Sequence, residues 1–113
     1  MTTLSTEGLL VLCNIPANAD PAGIAQLLVE EQLAACINLL PPVRSVYRWQ
    51  AQVVQDEETP LLIKTTPQAY PALEKRLQAL HPYELPEIIA VPICKGLPTY
   101  LAWMVDSVKA FPE

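Results

Sequence analysis

Three cysteines and one histidine are the residues with the clearest capacity for chemistry. Cys13, Cys36 and Cys94 lie far apart and form no CxxC pair, and His81 is followed directly by Pro82. A thiolate is a soft ligand that suits Cu(I), and an imidazole is an acceptable partner for it. A buried cysteine also serves as a small hydrophobic residue. The sequence leaves both roles open for Cys13 and favours packing.

His81 and Lys64 each have two interpretations. His81 can be a metal ligand or a titrating group in a cleft, or it can interact with the last carbonyls of a helix. Lys64 directly follows the apolar run 61–63. A lysine there needs a carboxylate partner if it is buried, and Glu84 or Glu87 can supply one. Such a pair is either a structural salt bridge or part of a binding cleft.

The sequence lacks the usual signatures of an enzyme. Cys13 or Cys36 with His81 would be a possible nucleophile pair, but there is no oxyanion-hole motif and no second histidine. The only glycines are Gly8, Gly23 and Gly96, so no GxGxxG or Walker pattern is present. We therefore predict a protein that is not an enzyme and has no organic cofactor.

The composition indicates one domain that buries much of its surface against protein. Hydrophobic residues make up 51% of the 113 residues and charged residues only 17%, against about 25% in an average domain. No apolar run reaches the length of a membrane span, so we expect no membrane partner. We predict a single domain over residues 1–113, with residues 1–7 loosely ordered.

The charge and the N-terminus limit the partners and the compartment. A net charge of −5 argues against non-specific nucleic-acid binding, which needs a basic surface. The segment 1–7 carries no basic residue before the apolar run, which argues against a secretory signal. Reduced thiols in a cytoplasm are the natural interpretation.

The apolar pattern predicts the order β-α-β-β-α-β followed by a last helix, which is the ferredoxin-like, split βαβ fold of the α+β class. The expected strands cover 8–15, 36–49, 53–65 and 87–93, with Pro41-Pro42 marking an edge or a bulge in the second. Asp20-Pro21 opens a helix that ends before Cys36, Thr66-Pro67 opens the next, and the last covers 97–111. Consecutive apolar residues at 9–13, 61–63 and 88–91 need cover on both sheet faces. This pattern predicts self-association.

Four segments in register give the chain a family resemblance. They are Leu33-Ala-Ala-Cys-Ile-Asn38, Ser45-Val-Tyr-Arg-Trp49, Leu62-Ile-Lys-Thr65 and His81-Pro-Tyr-Glu-Leu-Pro-Glu-Ile-Ile89. Together they resemble the CutA family of divalent-cation tolerance proteins. The resemblance implies a ferredoxin-like fold, a homotrimer like that of the PII signalling proteins, and an association with copper or another divalent cation.

The resemblance also assigns sites. Cys13 matches a copper-associated cysteine, with His81 as its partner, while Leu80 stands where some relatives have a further histidine. Ala51 stands where the family commonly has glycine, which leaves the turn type at Gln50-Ala51 open. Trp49 is either a stacking wall for a ligand or an interface anchor. The positions that match a cleft between subunits are Cys36, Tyr47, Trp49, Lys64, Glu84 and Glu87.

Two functions follow as expectations. The first is divalent-cation tolerance or homeostasis, in which a homotrimer binds copper or another heavy-metal ion through Cys13 and His81. The alternative is a PII-like signalling or scaffold trimer that binds a small anionic ligand or a partner protein near Lys64 and Trp49.

Overall fold

The computed structural model describes residues 8–111, and the predicted loose segment 1–7 lies outside the described residues. Five strands and three helices follow in the expected order within this range. Their bounds are β1 Leu9–Pro16, α1 Pro21–Glu30, β2 Cys36–Leu39, β3 Val43–Trp49, β4 Gln52–Thr65, α2 Tyr70–Leu80, β5 Ile88–Pro92 and α3 Pro98–Ser107.

The strands form one antiparallel sheet in the order β2-β4-β1-β5, with β3 also paired to β4. If β2 and β3 are taken as one interrupted strand, this is the ferredoxin-like order, so the predicted α+β fold is confirmed. Pro41-Pro42 separates β2 from β3, and both pair only with β4. The predicted edge strand is therefore correct.

The first helix begins where the sequence predicted, at Pro21, but ends early, and the second begins at Tyr70, three residues after the predicted start at Pro67. The side chain of Asp20 accepts a hydrogen bond from the Gly23 N–H at 3.1 Å, which caps α1. The Thr66 hydroxyl accepts one from the Ala69 N–H at 3.1 Å, just before α2. We expected α1 to reach almost to Cys36, and it ends at Glu30. The last helix was also predicted too long, because α3 ends at Ser107.

Strand register separates the sheet into two unlike faces. On one face, Val11, Cys13 and Ile15 are fully buried and pack with core residues of α1 and α2, among them Leu28 and Leu73. Alternate residues point the other way, onto what we call the open face. It carries Leu10 and Leu12 of β1, Leu62 and Lys64 of β4, and Ile89 and Val91 of β5. Ile89 and Val91 are 51% and 44% exposed, so much apolar surface is left uncovered in one protomer.

A two-residue turn joins β3 to β4, since Trp49 pairs with Gln52. Gln50 and Ala51 both have positive φ, 50° and 66°. Positive φ at both central residues is the signature of a type I′ turn. The turn that the sequence left open therefore adopts this form, with alanine in a conformation that favours glycine.

Candidate functional site

His81 is held against the end of β1. It follows α2 directly, and its Nε2 lies 2.7 Å from the carbonyl oxygen of Asn14. Its Nδ1 accepts a hydrogen bond from the Tyr83 N–H at 3.1 Å, so Nε2 is the nitrogen that donates to Asn14. The fold thus places His81 beside the strand that carries Cys13, with both ring nitrogens already engaged.

Cys13 lies on the helix-covered face of the sheet and is fully buried. Burial and, to a smaller extent, the nearby carboxylates of Glu87 and Glu58 together raise the pKa of its thiol to about 12. A thiol in this environment stays protonated. Within residues 8–111 no group of three histidine, cysteine or acidic side chains is placed to hold a metal ion. In one protomer, Cys13 and His81 therefore do not form a ready-made metal site.

Cys36 and Lys64 face each other across β2 and β4. The Lys64 amine donates a hydrogen bond to the side-chain carbonyl of Asn38 and lies 3.9 Å from the Cys36 sulfur. The partner that we expected for Lys64, Glu84 or Glu87, does not contact it within the protomer. In the part of the chain that the structure describes, the ion pair found is Arg76 with Glu31, at 2.9 Å on the surface.

Three of the other predicted cleft residues meet at the opposite end of the molecule. Tyr47 and Trp49 lie two residues apart on β3 and so point to the same side, where they face the connector 81–87. Between them is a cavity of about 310 Å³ that we call the aromatic cavity. Its walls are Tyr47, Trp49, Pro82, Tyr83, Glu84 and Leu85. Glu87 lines a neighbouring cavity of about 590 Å³, together with Tyr47, Tyr83 and Glu58.

Carboxylates surround the two tyrosine hydroxyls. The Tyr47 hydroxyl donates a hydrogen bond to Asp56, which raises the pKa of Tyr47 to about 12. Burial, followed by the negative charges of Glu58 and Asp56, raises the pKa of Tyr83. Both phenols therefore stay protonated in the neutral range.

Sequence reasoning missed Asp56, Glu58 and Tyr83. The signal available was the acidic run 56–58 inside a predicted strand. Its meaning depended on the register, which pairs Ser45 with Asp56 and so places Asp56 on the same side as Tyr47. The alternation of side chains then brings Glu58 to that side as well.

The predicted cleft residues thus form two separate groups on the open face. Lys64 with Cys36 lies at one end of β4, and Tyr47 lies opposite Val54 near the other. Ten residues of β4 separate these levels, which is about 33 Å at the rise of an extended strand. One protomer alone cannot bring the lysine to the aromatic cavity.

Comparison with known proteins settles the family. The family model described as CutA1 divalent ion tolerance protein matches residues 9–107. The chain belongs to this family. It is 50% identical over 98 residues to the divalent-cation tolerance protein CutA of Thermus thermophilus, a match covering 87% of this chain and 95% of that one.

Solved CutA structures have the same fold. The CutA1 structure from a Shewanella species has a TM-score of 0.89 at 39% identity, and the match covers 94% of this chain and 99% of that one. A structure described as a PII-like protein CutA from a Nostoc species, in apo form, has a TM-score of 0.85 at 34% identity, covering 91% and 99%. The predicted likeness to CutA and PII-like folds is confirmed.

These relatives carry the names of tolerance proteins rather than of enzymes. Their names give more than one compartment, since a relative from Arabidopsis thaliana is called chloroplastic and one from Archaeoglobus fulgidus periplasmic. The cytoplasmic location of this chain stays a prediction. No helix within residues 8–111 is long and apolar enough to cross a membrane.

Proposed function

We propose that this protein acts in divalent-cation tolerance as a homotrimer whose working clefts lie between protomers. The observation that carries the proposal is the division of the cleft residues into two groups on one apolar face. Lys64 and Cys36 lie at one end of the open face and Tyr47 at the other. A second copy of the chain, laid on that face, joins the lysine of one protomer to the carboxylates of the next.

The exposed surface of the protomer supports this assembly. Ile89 and Val91 of the open face, Val43 at its edge, and Tyr100 and Trp103 of α3 are all at least 40% exposed. Monomeric proteins seldom expose contiguous apolar patches larger than a few hundred Å². Removing such surface from water contributes roughly 25 cal/mol per Å². Formation of a closed trimer would bury this apolar surface, while the polar surface of α1 and α2 would face solvent.

Light scattering after size exclusion tests the assembly. We expect about three times the 12.5 kDa chain mass at micromolar concentration. Val91→Glu places a charge on the open face and should shift the mass towards that of one chain. The matched control is Val29→Glu, at a 39% exposed position on α1, which should leave the mass unchanged. A wild-type monomer, or a Val91→Glu trimer with native circular dichroism, would contradict the proposal.

A second candidate is copper binding at Cys13 and His81. It is favoured by the hydrogen bond that holds the His81 ring against Asn14, the residue next to Cys13. Cu(I) can be bound by a small number of soft ligands, whereas structural zinc sites have four ligands. Binding there requires loss of the buried thiol proton and of at least one hydrogen bond of the imidazole. We therefore propose that copper binds only after Cys13 and His81 rearrange from the positions that they have in the protomer.

The PII-like role stays an alternative for the same trimer. The aromatic cavity supports it, because a concave space lined by apolar and aromatic side chains with a few polar groups is the usual form of a small-molecule site. An anionic ligand held by both Lys64 and Trp49 would have to lie between protomers, since the two residues are at opposite ends of one protomer. We also propose that the protein works in the cytoplasm, on the basis of its three free cysteines.

A further inference from the structure

The hairpin of β3 and β4 has a second face, which contact through the open face leaves uncovered. We propose that helix α3 of the next protomer in the trimer packs on this second face, so that each hairpin contacts its neighbour on both sides. The inference rests on the proposed trimer and adds a second contact surface between the same two protomers.

The alternation of side chains along β3 and β4 defines this second face, which we call the outer hairpin face. It lies on the side of β4 that carries Leu61 and Ile63, both fully buried in the core. Towards the turn the same side is uncovered, since Val46 is 60% exposed and Val53 is 64% exposed. The six residues of the outer hairpin face are all exposed: Arg44, Val46 and Arg48 of β3, with Val53, Gln55 and Glu57 of β4.

The outer hairpin face is positively charged, although the chain has a net charge of −5 and only seven basic residues. Arg44 stands opposite Glu57 across the hairpin, whereas Arg48 stands opposite Val53. In residues 8–111 neither arginine forms an ion pair within the protomer. A partner that fits this face offers apolar contact together with a carboxylate near Arg48.

Helix α3 offers this combination on its exposed side. Tyr100 and Trp103 are 41% and 48% exposed, and their ring centroids are 5.5 Å apart. Asp106 is also exposed and lies one turn after Trp103. We call these three residues the α3 stripe. Its rings can cover the two valines of the hairpin, and an arginine guanidinium stacks well on an aromatic face. Asp106 supplies the carboxylate for Arg48.

The place of α3 in the protomer fits a contact with the hairpin of the next copy. Ala35 packs with Met104 and Val108 at α3, and its N–H donates to the carbonyl oxygen of Lys64 at 2.8 Å. Helix α3 therefore lies at the Lys64 end of the sheet, and the hairpin turn lies at the other end. The proposed trimer joins the Lys64 end of one protomer to the Glu84 end of the next. Two unlike, complementary surfaces at opposite ends of one chain are what a head-to-tail ring requires.

Charge reversal tests the contact between Arg48 and Asp106. Light scattering over a dilution series, at one moderate urea concentration, gives the protein concentration at which half of the trimer has dissociated. We expect Arg48→Glu and Asp106→Arg each to raise this concentration by about tenfold or more, and the double variant to recover most of the loss. Lys75→Glu, at an exposed position of α2, is the matched control and should have no effect. Additive losses in the double variant, or an equal effect of Lys75→Glu, would overturn the proposal.

Tryptophan fluorescence supplies a second measurement that does not depend on reversed charges. The chain has two tryptophans, so Trp49→Phe leaves Trp103 as the emitter. Because a neighbouring hairpin covers the Trp103 ring, acrylamide should quench it about twofold less or weaker still in the trimer than in the dissociated chain with Val91→Glu added. Equal quenching of the two, with the trimer confirmed by light scattering, would overturn this contact and leave the open-face trimer standing. A monomeric wild type would contradict the trimer and this contact together.

Discussion

The hydrogen bonds of His81 decide what this residue can do at the scale of a single side chain. Its Nε2 donates to the carbonyl oxygen of Asn14 and its Nδ1 accepts from the N–H of Tyr83, so the ring links the end of α2 to β1 and to the connector 81–87. The sequence offered three roles for His81 and could not choose, because its partners are backbone groups that only the fold brings near. Leu80, which stands where some relatives have a further histidine, is partly buried and packs against the core.

Copper affinity tests the second candidate at this scale. Competition against a chromophoric Cu(I) chelator under reducing conditions should show binding at least about tenfold weaker in Cys13→Ser and His81→Ala than in the wild type, a loss of about 1.4 kcal/mol. Leu80→His should strengthen binding, since it adds an imidazole next to His81, at some cost in core stability. If Cys13→Ser and His81→Ala both bind as the wild type does, copper is not bound at this pair.

The ends of the elements show which local signals the sequence carries. Asp20-Pro21 predicted the start of α1 correctly, because capping chemistry is local. The Thr66 hydroxyl instead accepts a hydrogen bond in a turn with Ala69, and α2 begins only at Tyr70. The end of α1 was missed. Gln32 takes a positive φ of 58°, and the N–H groups of Gln32 and Leu33 bond to Val29 and Leu28, which is a Schellman ending without its usual glycine.

The β3–β4 turn gives a prediction at the scale of the element. Ala51 has a φ of 66°, and a left-handed conformation costs an L-residue roughly 1–2 kcal/mol. Glycine removes that strain but adds freedom to the unfolded chain. We expect Ala51→Gly to raise the free energy of unfolding by about 0.5–1 kcal/mol, measured by thermal or denaturant unfolding.

A helical alanine supplies the control for that substitution. Ala102→Gly, at an exposed position within α3, should lower stability by about 0.5–1 kcal/mol, because the helix needs no positive φ there. If Ala51→Gly destabilises the protein as much as Ala102→Gly does, the turn does not carry the strain inferred from its backbone.

At the scale of the whole molecule, the sequence predicted the fold and the surplus of apolar surface. It did not predict that the cleft residues form two separate groups along β4. The order of the strands follows from hydrophobic pattern and short connections, and both are readable in one chain. The meeting of Tyr47 with Tyr83 and the carboxylates depends on the register of β4 over fourteen residues. The distance from Lys64 to the aromatic cavity depends on the same register, which is set by pairings remote in sequence.

That distance makes Lys64 the most direct probe of the proposed assembly. Within one protomer Lys64 contacts neither glutamate, since Glu84 lines the aromatic cavity near the far end of β4 and Glu87 precedes Ile88 of β5, two strands away from β4. Strong energetic coupling to either glutamate is therefore expected only across a protomer boundary. The measurement is a double-mutant cycle on thermal stability with Lys64→Met, Glu84→Gln and Glu87→Gln, at one fixed protein concentration.

Lys64→Met combined with Glu31→Gln is the control. Glu31 already pairs with Arg76, so the effects of these two substitutions should be additive. The account predicts a coupling of about 0.5–3 kcal/mol between Lys64 and one of the two glutamates. Additivity within about 0.3–0.5 kcal/mol for both glutamates would contradict a cleft built from two copies of the chain.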